Sequence, residues 1–139
     1  SANKFRTRQR PTHNGVDIAS RSKPPVYAVA DGIVTEVEKK CPSYKTPNPK
    51  DDCGGGYGNH VVITHEINGQ QVSTLYAHFD QGSVRVNKGQ FVSQGTVIGN
   101  QGNSGSTGGS TGIHLHFEVH PGGYRGPSSA VNPCSWIGC

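Results

Sequence analysis

The sequence predicts a mainly β fold made of short antiparallel strands. Twenty glycines and nine prolines are spread over 139 residues, and such frequent turn residues leave little room for helices. No extended apolar stripe with a helical period is present, whereas short runs of alternating or β-branched apolar residues recur along the chain. A chain of this length has the usual size of one domain. We therefore expect residues 1–139 to form a single domain, excised from a longer protein because it does not begin with methionine.

The strands follow one another between turn residues. After "HNGVDIA", the run "PPVYAVADGIVTEVEK" is interrupted at Asp31-Gly32, a tight-turn pair that predicts two paired strands. "NHVVITHEINGQQVSTLYAHF" contains two alternating runs around Asn68-Gly69, which predicts a hairpin. "VRVNKGQFVSQGTVIGNQG" adds short strands with glycine corners. The glycine- and serine-rich "NSGSTGGSTG" is a loop that leads directly into the strand "IHLHFEV".

Charge and hydropathy limit the partners. The chain has 13 basic and 9 acidic residues, a net charge of +4, and four of the basic residues lie in the first ten positions. This imbalance favours an anionic partner, nucleic acid or a bacterial wall polymer, unless the basic arm is only a solvated tail. A recognition helix and aromatic residues interleaved with the basic ones are missing, so we expect no nucleic-acid partner. No apolar run approaches the roughly 18 residues of a membrane span, so we expect no membrane insertion. We also expect the protein to be a monomer.

The four cysteines form two local pairs, Cys41 with Cys53 and Cys134 with Cys139. Three pairings are formally possible, but proximity favours a disulfide within each pair. A four-cysteine zinc site is the alternative, although neither pair has the C-x2–4-C spacing of a zinc knuckle. Disulfides indicate an oxidising compartment, which favours a secreted, extracellular protein. The prolines, glycines and charged residues of segment 41–58 predict a surface loop closed by the first disulfide.

Two motifs point to a metal site. Residues two apart on a strand share a face, so His114 and His116 of "TGIHLHFEVHP" lie side by side. If "HNGVD" is also extended, His13 and Asp17 share a face, with Gly15 between them leaving room for an ion. A catalytic zinc needs three imidazole or carboxylate ligands and one position for water. His13, Asp17 and one histidine of the "HLH" pair would supply that set.

The remaining histidines divide into catalytic and structural candidates. The other histidine of "HLH" could take a proton from water, and His78 in "LYAHF" is a candidate to hold a developing oxyanion. His65 lies on the same hairpin and is the alternative to His78. A lone histidine is more often packed or at the surface than a ligand, so we expect His60, His65 and His120 to be structural.

The order of these motifs resembles the lysostaphin and LytM group of zinc endopeptidases, which cut peptide bonds in bacterial peptidoglycan. The resemblance runs from about Phe5 to Pro133. It is carried by "HNGVDIA", "VYAVADGIV", "GYGNHVVITHE", "LYAHF", "VNKGQFVSQGTVIGNQGNSG" and "GIHLHFEV". It implies a lysostaphin-type peptidase fold with one catalytic Zn²⁺. It also implies a peptidoglycan peptide as substrate and bacteriolytic, antimicrobial action on the cell wall.

By position, the resemblance makes His13, Asp17 and His116 the zinc ligands and His78 and His114 the catalytic pair. It gives His120 no part. The segment between the first two cysteines looks like an insertion in a loop that borders the groove in relatives, and the terminal cysteine pair is not a general family feature. The bond cut therefore stays open among Gly-Gly, D-Ala to the cross-bridge, and a bond within the stem peptide.

Two other classes of function compete with a peptidase. A non-catalytic wall-binding or activator module on the same fold would lack a ligand or a catalytic histidine, and this chain keeps all five. A carrier domain is suggested because "PPVYAVADGIVTEV" and "VNKGQFVSQGTVIG" look like halves of a lipoyl-like barrel. Such carriers need a lysine at a hairpin tip, or two histidines without a carboxylate ligand. We therefore expect an endopeptidase whose glycine-rich loops, around Tyr57 and over 103–112, wall a narrow groove.

Overall fold

A seven-stranded antiparallel sheet carries most of the secondary structure in a computed structural model that describes residues 2–3, 15–108 and 112–133. A separate two-stranded sheet packs against it. The strands in these ranges are β1 (Ala2–Asn3), β2 (Val16–Ala19), β3 (Pro25–Tyr27), β4 (Gly32–Glu38), β5 (Asn59–Ile67), β6 (Gln70–Phe79), β7 (Phe91–Val92), β8 (Val97–Asn100) and β9 (His114–Pro121). Cys53–Gly56 and Pro127–Ser129 form short 3-10 turns. No helix in the described ranges is long and apolar enough to cross a bilayer.

The large sheet places β2, from the first part of the chain, beside β9, from its last part. Its strand order is β1-β2-β9-β6-β5-β4-β7, so β9 lies between β2 and β6. In this register His116 is paired with Asp17 on one side and with Ala77 on the other. The predicted hairpin of β5 and β6 is confirmed, since Asn68 and Gly69 both have positive φ, 53° and 76°, as its two-residue turn requires.

The predicted pairing across Asp31-Gly32 is wrong. β3 pairs with β8 in the small sheet, whereas β4 pairs with β5 and β7 in the large one. The turn pair therefore marks the point where the chain passes from one sheet to the other. Glycine is required at position 32 because a Cβ there would lie 2.6 Å from the Thr64 carbonyl oxygen.

The core lies between the two sheets and determines which face of β9 remains for chemistry. Phe117 and Val119 point into it, and Leu115 packs against it. Burial of a side chain of this size is worth about 1.5–3 kcal/mol, so the register of β9 is strongly favoured. The other buried apolar residues of this cluster are Val16, Val26, Ala28, Val34, Val61, Ile63, Val72, Tyr76, Phe79, Val86, Val92 and Ile98.

Candidate active site

The face of β9 that points away from the core carries four titratable side chains. Alternation along the strand places His114, His116, Glu118 and His120 on this face. Glu118 and His120 are fully buried, and His116 is 7% exposed. Charged residues are rarely buried unless they are paired, so the contacts of this row determine what it does.

Two of the three predicted metal ligands meet on this face. An oxygen of the Asp17 carboxylate, Oδ1, lies 2.7 Å from Nδ1 of His116 and 3.8 Å from Nε2 of His114. The third predicted ligand, His13, lies outside the described residues. Gly15 has a different role from the expected one, because a side chain there would collide with the backbone carbonyl of Phe117. The missing side chain lets the chain approach β9 closely.

Glu118 holds His116 from the other side. Its Oε2 lies 2.7 Å from Nε2 of His116 and accepts a hydrogen bond of 2.7 Å from the Tyr57 hydroxyl. Its Oε1 lies 2.6 Å from Nε2 of His120, whose Nδ1 lies 2.6 Å from the Ser129 hydroxyl. A chain of hydrogen bonds thus runs from Ser129 to Asp17 and holds the ring of His116 between two carboxylates.

The two carboxylates stabilise positive charge at His116. Burial lowers its pKa, but hydrogen bonds to Asp17 and Glu118 outweigh burial and raise the pKa to about 9. Burial likewise raises the pKa of Glu118, but hydrogen bonds from His116 and His120 lower it to about 2. This corner of the sheet therefore favours a cation over a neutral group.

A β-bulge places His78 beside these residues. Between the pairs Asn59–Phe79 and Val61–Tyr76, β6 has one residue more than β5. His78 has a φ of 65°, and its ring centroid lies 4.6 Å from that of His114. Without the bulge, strict alternation would turn this side chain toward the core. Bulges commonly redirect a side chain in this way next to active sites.

His78 and His114 are both held by backbone carbonyls. Nδ1 of His78 lies 2.7 Å from the Ser104 oxygen, and Nδ1 of His114 lies 2.8 Å from the Gly112 oxygen. A carbonyl only accepts, so Nδ1 carries the proton in each ring and Nε2 is the basic nitrogen. Burial, followed by the neighbouring His114 and His116, lowers the pKa of His78 to about 3.

The residues present fit a zinc-type metal. Among the described residues, no group of three or more His, Cys, Asp or Glu side chains is arranged to hold a metal ion. The carboxylate of Asp17 and Nδ1 of His116 are nevertheless donors that zinc prefers. The other ring nitrogen of His116 faces a carboxylate, the support that metal-bound histidines usually have. His13, four residues before Asp17, is the remaining candidate for the third ligand.

The other histidines lie apart from the catalytic candidates. His65, the alternative to His78, is buried with Nδ1 2.8 Å from the Asp31 carbonyl oxygen and Nε2 2.7 Å from the Thr74 hydroxyl. His60 bonds Glu36 and the Gly58 carbonyl. His120 touches Glu118 rather than a predicted ligand. Glu118 was missed, although the alternation that links His114 and His116 also places it on their face.

The predicted local disulfide between Cys41 and Cys53 is present. Cys134 and Cys139 lie outside the described residues, so their pairing stays a prediction. The two glycine-rich segments expected to wall a groove also touch each other, since the amide of Ser106 donates to the Gly56 carbonyl at 2.8 Å. One residue of each segment also bonds His78: the Tyr57 carbonyl accepts from its backbone amide and the Ser104 carbonyl accepts from its Nδ1.

Comparison with known sequences identifies relatives. The profile described as "Peptidase family M23" matches residues 11–133. DD-carboxypeptidase/endopeptidase Mpg of Neisseria meningitidis serogroup B is 40% identical over 126 residues, which cover 88% of this chain and 22% of that protein. Peptidoglycan DD-endopeptidase ShyB of Vibrio cholerae is 38% identical over 107 residues, which cover 77% of this chain and 20% of that protein. The chain thus spans about a fifth of the length of these relatives.

Comparison with solved structures gives the same fold. The catalytic domain of the antimicrobial peptidase lysostaphin from Staphylococcus simulans superposes with a TM-score of 0.65 at 26% identity, covering 91% of this chain and 80% of that one. A zinc-containing peptidase from Vibrio cholerae superposes with a TM-score of 0.58 at 32% identity, covering 86% of this chain and 29% of that one. The expected mainly antiparallel β fold of the lysostaphin type is confirmed.

Proposed function

Because the chain belongs to peptidase family M23, we propose that it is a zinc-dependent endopeptidase that hydrolyses peptide bonds in the cross-bridges or stem peptides of peptidoglycan. The observation that carries the proposal is the meeting of Asp17 and His116 beside the paired rings of His78 and His114. It combines a group of side chains that favours a cation with two imidazoles whose Nδ1 atoms are held by backbone carbonyls. The relatives named for peptidoglycan or DD-endopeptidase activity support the choice of substrate.

The metal would be held by His13, Asp17 and His116. Glu118 turns Nδ1 of His116 toward Asp17 by binding Nε2, so the ring is oriented before any ion arrives. A zinc ion held by these residues would supply Lewis acidity, lowering the pKa of water so that hydroxide, the nucleophile, is available near neutral pH. The similarity to a zinc-containing peptidase supports zinc as the metal.

His114 and His78 would handle the protons of peptide hydrolysis. Nε2 of His114 lies 3.8 Å from Asp17, so it is placed to take a proton from a water molecule beside the metal ligands. The ring of His78 lies next to that of His114. Its buried imidazole is neutral near pH 7, so Nε2 would gain a proton only as negative charge develops on the substrate oxygen. The proton that His114 takes from water would be its source, and it would then be shared with the oxyanion or passed to the leaving amine.

The protein would act outside the cytoplasm, in the compartment that contains peptidoglycan. The disulfide between Cys41 and Cys53 supports this location, because disulfides persist in oxidising compartments. Secretion, lysis of whole bacteria and a monomeric state remain predictions. The same holds for the absence of a nucleic-acid partner.

Digestion of purified peptidoglycan tests the proposal. Sacculi with Gly-Gly cross-bridges and sacculi with direct cross-links are incubated with the zinc-loaded protein, and mass spectrometry of the released fragments identifies the bond. We expect new amino termini that appear only with metal and disappear with a chelator. If neither kind of sacculus yields new termini while zinc is bound in a 1:1 ratio, the domain is a binding module and the proposal is wrong.

A further inference from the structure

The disulfide closes a loop, residues 41–53, that we call the stapled loop, and two asparagine side chains anchor it. Asn59 Oδ1 accepts a hydrogen bond of 2.8 Å from the Cys41 amide, and its Nδ2 donates to the Cys41 carbonyl at 2.8 Å. Asn103 binds Tyr44 in the same way, with bonds of 2.9 Å from the Tyr44 amide and 2.7 Å to its carbonyl. Each asparagine side chain thus pairs with both the backbone N–H and the backbone C=O of one loop residue, as a neighbouring strand would. These pairs join the loop to the segments beside the site.

One contact path leads from the stapled loop to His78. Asn103 is followed by Ser104, whose carbonyl oxygen receives Nδ1–H of His78. The Ser104 hydroxyl accepts a bond of 3.0 Å from the Asn59 amide and donates one of 2.5 Å to the Phe79 carbonyl. Ser104 is fully buried. The position of its carbonyl therefore depends on both asparagines that hold the stapled loop.

A second path leads from the stapled loop to His114. Gly112, whose carbonyl receives Nδ1–H of His114, packs against Pro47 so closely that an added Cβ would lie 2.9 Å from the Pro47 Cβ. Nearby, the amide of Thr107 donates to the Asn48 carbonyl at 3.2 Å. The loop thus supports both carbonyls that orient the rings of His78 and His114.

The predicted metal ligands Asp17 and His116 are not held by the stapled loop. Asp17 and His116 lie on neighbouring strands and are joined by a direct bond, with Glu118 behind them. Pairing of β2 and β9 supplies their geometry. Disturbing the stapled loop therefore acts first on the carbonyls of Ser104 and Gly112 rather than on the Asp17–His116 pair.

We infer that the stapled loop is a positioning element for the two proton-transfer histidines and not for the metal. By placing the carbonyls of Ser104 and Gly112, it selects the tautomer and the direction of His78 and His114. The expected effect of the loop on turnover rests on the proposed function. The expected effect of the loop on the rings of His78 and His114 does not, because it can be measured even if the protein hydrolyses nothing.

Two variants test the inference, Asn103→Ala and the double variant Cys41→Ser/Cys53→Ser. Asn100→Ala is the matched control, since Asn100 also donates to a neighbouring backbone carbonyl, that of Lys23, at 2.9 Å, but lies outside both contact paths. For each protein, three quantities are measured: kcat and KM on a soluble cross-linked peptidoglycan fragment, the dissociation constant for zinc, and ¹⁵N NMR signals of the imidazoles with and without zinc. NMR amide spectra establish that each variant is folded.

In Asn103→Ala we expect the Nδ1–H tautomer of His78 to lose population in the metal-free protein and kcat to fall about 10- to 100-fold, because small displacements of catalytic groups have effects of this size. The double cysteine variant should show the same change at His78 and at His114. KM and the zinc dissociation constant should stay within about threefold, and Asn100→Ala should behave like the native protein. If the cysteine variant does not fold, Asn103→Ala decides.

Unchanged signals of His78 in Asn103→Ala would overturn the inference, whether or not the protein is active. So would an effect confined to KM, which would make the loop a substrate wall alone, or an equal loss of zinc affinity. If the native protein releases no fragments but the tautomer of His78 changes in Asn103→Ala, the proposed function fails while the positioning role stands.

Discussion

Five of the six histidines in the described ranges fall into two groups that differ in what holds them, and the sixth, His60, bonds both a carboxylate and a backbone carbonyl. His116 and His120 bond the carboxylate of Glu118, whereas His78, His114 and His65 bond backbone carbonyls through Nδ1. A carboxylate stabilises a positive charge on its imidazole, whereas a carbonyl that accepts from Nδ1 fixes the tautomer. At His65 and His78, burial lowers the pKa and keeps the ring neutral. The same side chain thus serves at a cation site or as a neutral base, according to its partner.

The difference explains how neighbouring strands of one sheet, β9 and β6, carry side chains with two different tasks. Carboxylate contacts raise the pKa of His116 to about 9, and burial lowers that of His78 to about 3, although their ring centroids are only 6.0 Å apart. A base must be neutral near pH 7 to accept a proton. A metal ligand gains from an anionic neighbour that orients it. Four predictions test this division, in order of decreasing effect.

Replacing a histidine of the carboxylate-held group should remove the metal. His116→Ala leaves Asp17 and Glu118 without their shared imidazole, and two remaining ligands hold zinc far less well than three. We expect almost no bound zinc after dialysis and no measurable turnover, with metal content determined by mass spectrometry. His60→Gln, a change at a buried histidine on the same face, is the control and should keep its zinc. Stoichiometric zinc in His116→Ala would contradict the choice of ligand.

Replacing a carbonyl-held histidine should instead keep the metal and remove turnover. For His114→Ala we expect full zinc content and a rate lower by about 10²- to 10⁴-fold, the usual contribution of a general base. His78→Ala should show a loss of the same kind. Rates of fragment release with zinc in excess give the comparison. A loss of tenfold or less in His114→Ala would assign the proton transfer to another group.

Removing the charge of Glu118, which bonds Nε2 of His116, should lower the affinity for zinc and leave His78 and His114 unchanged. Glu118→Gln preserves size but removes the charge that holds Nε2 of His116, and changes of this kind cost about 10- to 100-fold in metal affinity. Competition with a zinc chelator measures the dissociation constant. Imidazole NMR signals of His78 and His114 should stay at their native positions in this variant. An unchanged zinc affinity would show that Glu118 is only a structural partner.

His65 extends the comparison to a carbonyl-held histidine whose hydrogen bonds go to Asp31 and Thr74 rather than to a predicted metal ligand. Burial lowers its pKa despite the opposing effects of the Asp31 backbone and carboxylate. The neutral, buried ring of His65 therefore makes its full contribution to the free energy of unfolding above the unfolded-state pKa of about 6.5. Below that pH the unfolded chain binds the proton more readily, and the free energy of unfolding falls by up to about 1.4 kcal/mol per pH unit. Urea unfolding of the metal-free protein at several pH values should show a steeper loss than in His65→Gln. Identical slopes in the two proteins would exclude this role.

Local patterns in the sequence predicted part of the fold and of the site. Alternation correctly placed His114 and His116 on one face, and Asn68-Gly69 correctly marked a hairpin. Applied two residues further, the same alternation would have found Glu118. The prediction at Asp31-Gly32 was wrong because a tight-turn pair marks a turn but does not show whether the two flanking strands pair with each other.

The position of His78 depends on information that is not local. Its positive φ and the extra residue in β6 arise from the pairing of β6 with β5, and no residue type near His78 signals a bulge. The contact of Asp17 with His116 depends equally on the pairing of β2 with β9, whose residues are 99 positions apart in the chain. Only tertiary structure brings such groups together.

The most direct test of the division between the two groups of histidines is a crystal structure of the zinc-loaded protein with anomalous data at the zinc edge. We predict one ion with the Asp17 carboxylate and Nδ1 of His116 at about 2.0–2.2 Å, while Nδ1 of His78 and His114 remain bonded to their carbonyls. Zinc bound by His78 or His114, or by Nε2 of His116 in place of Glu118, would contradict the account.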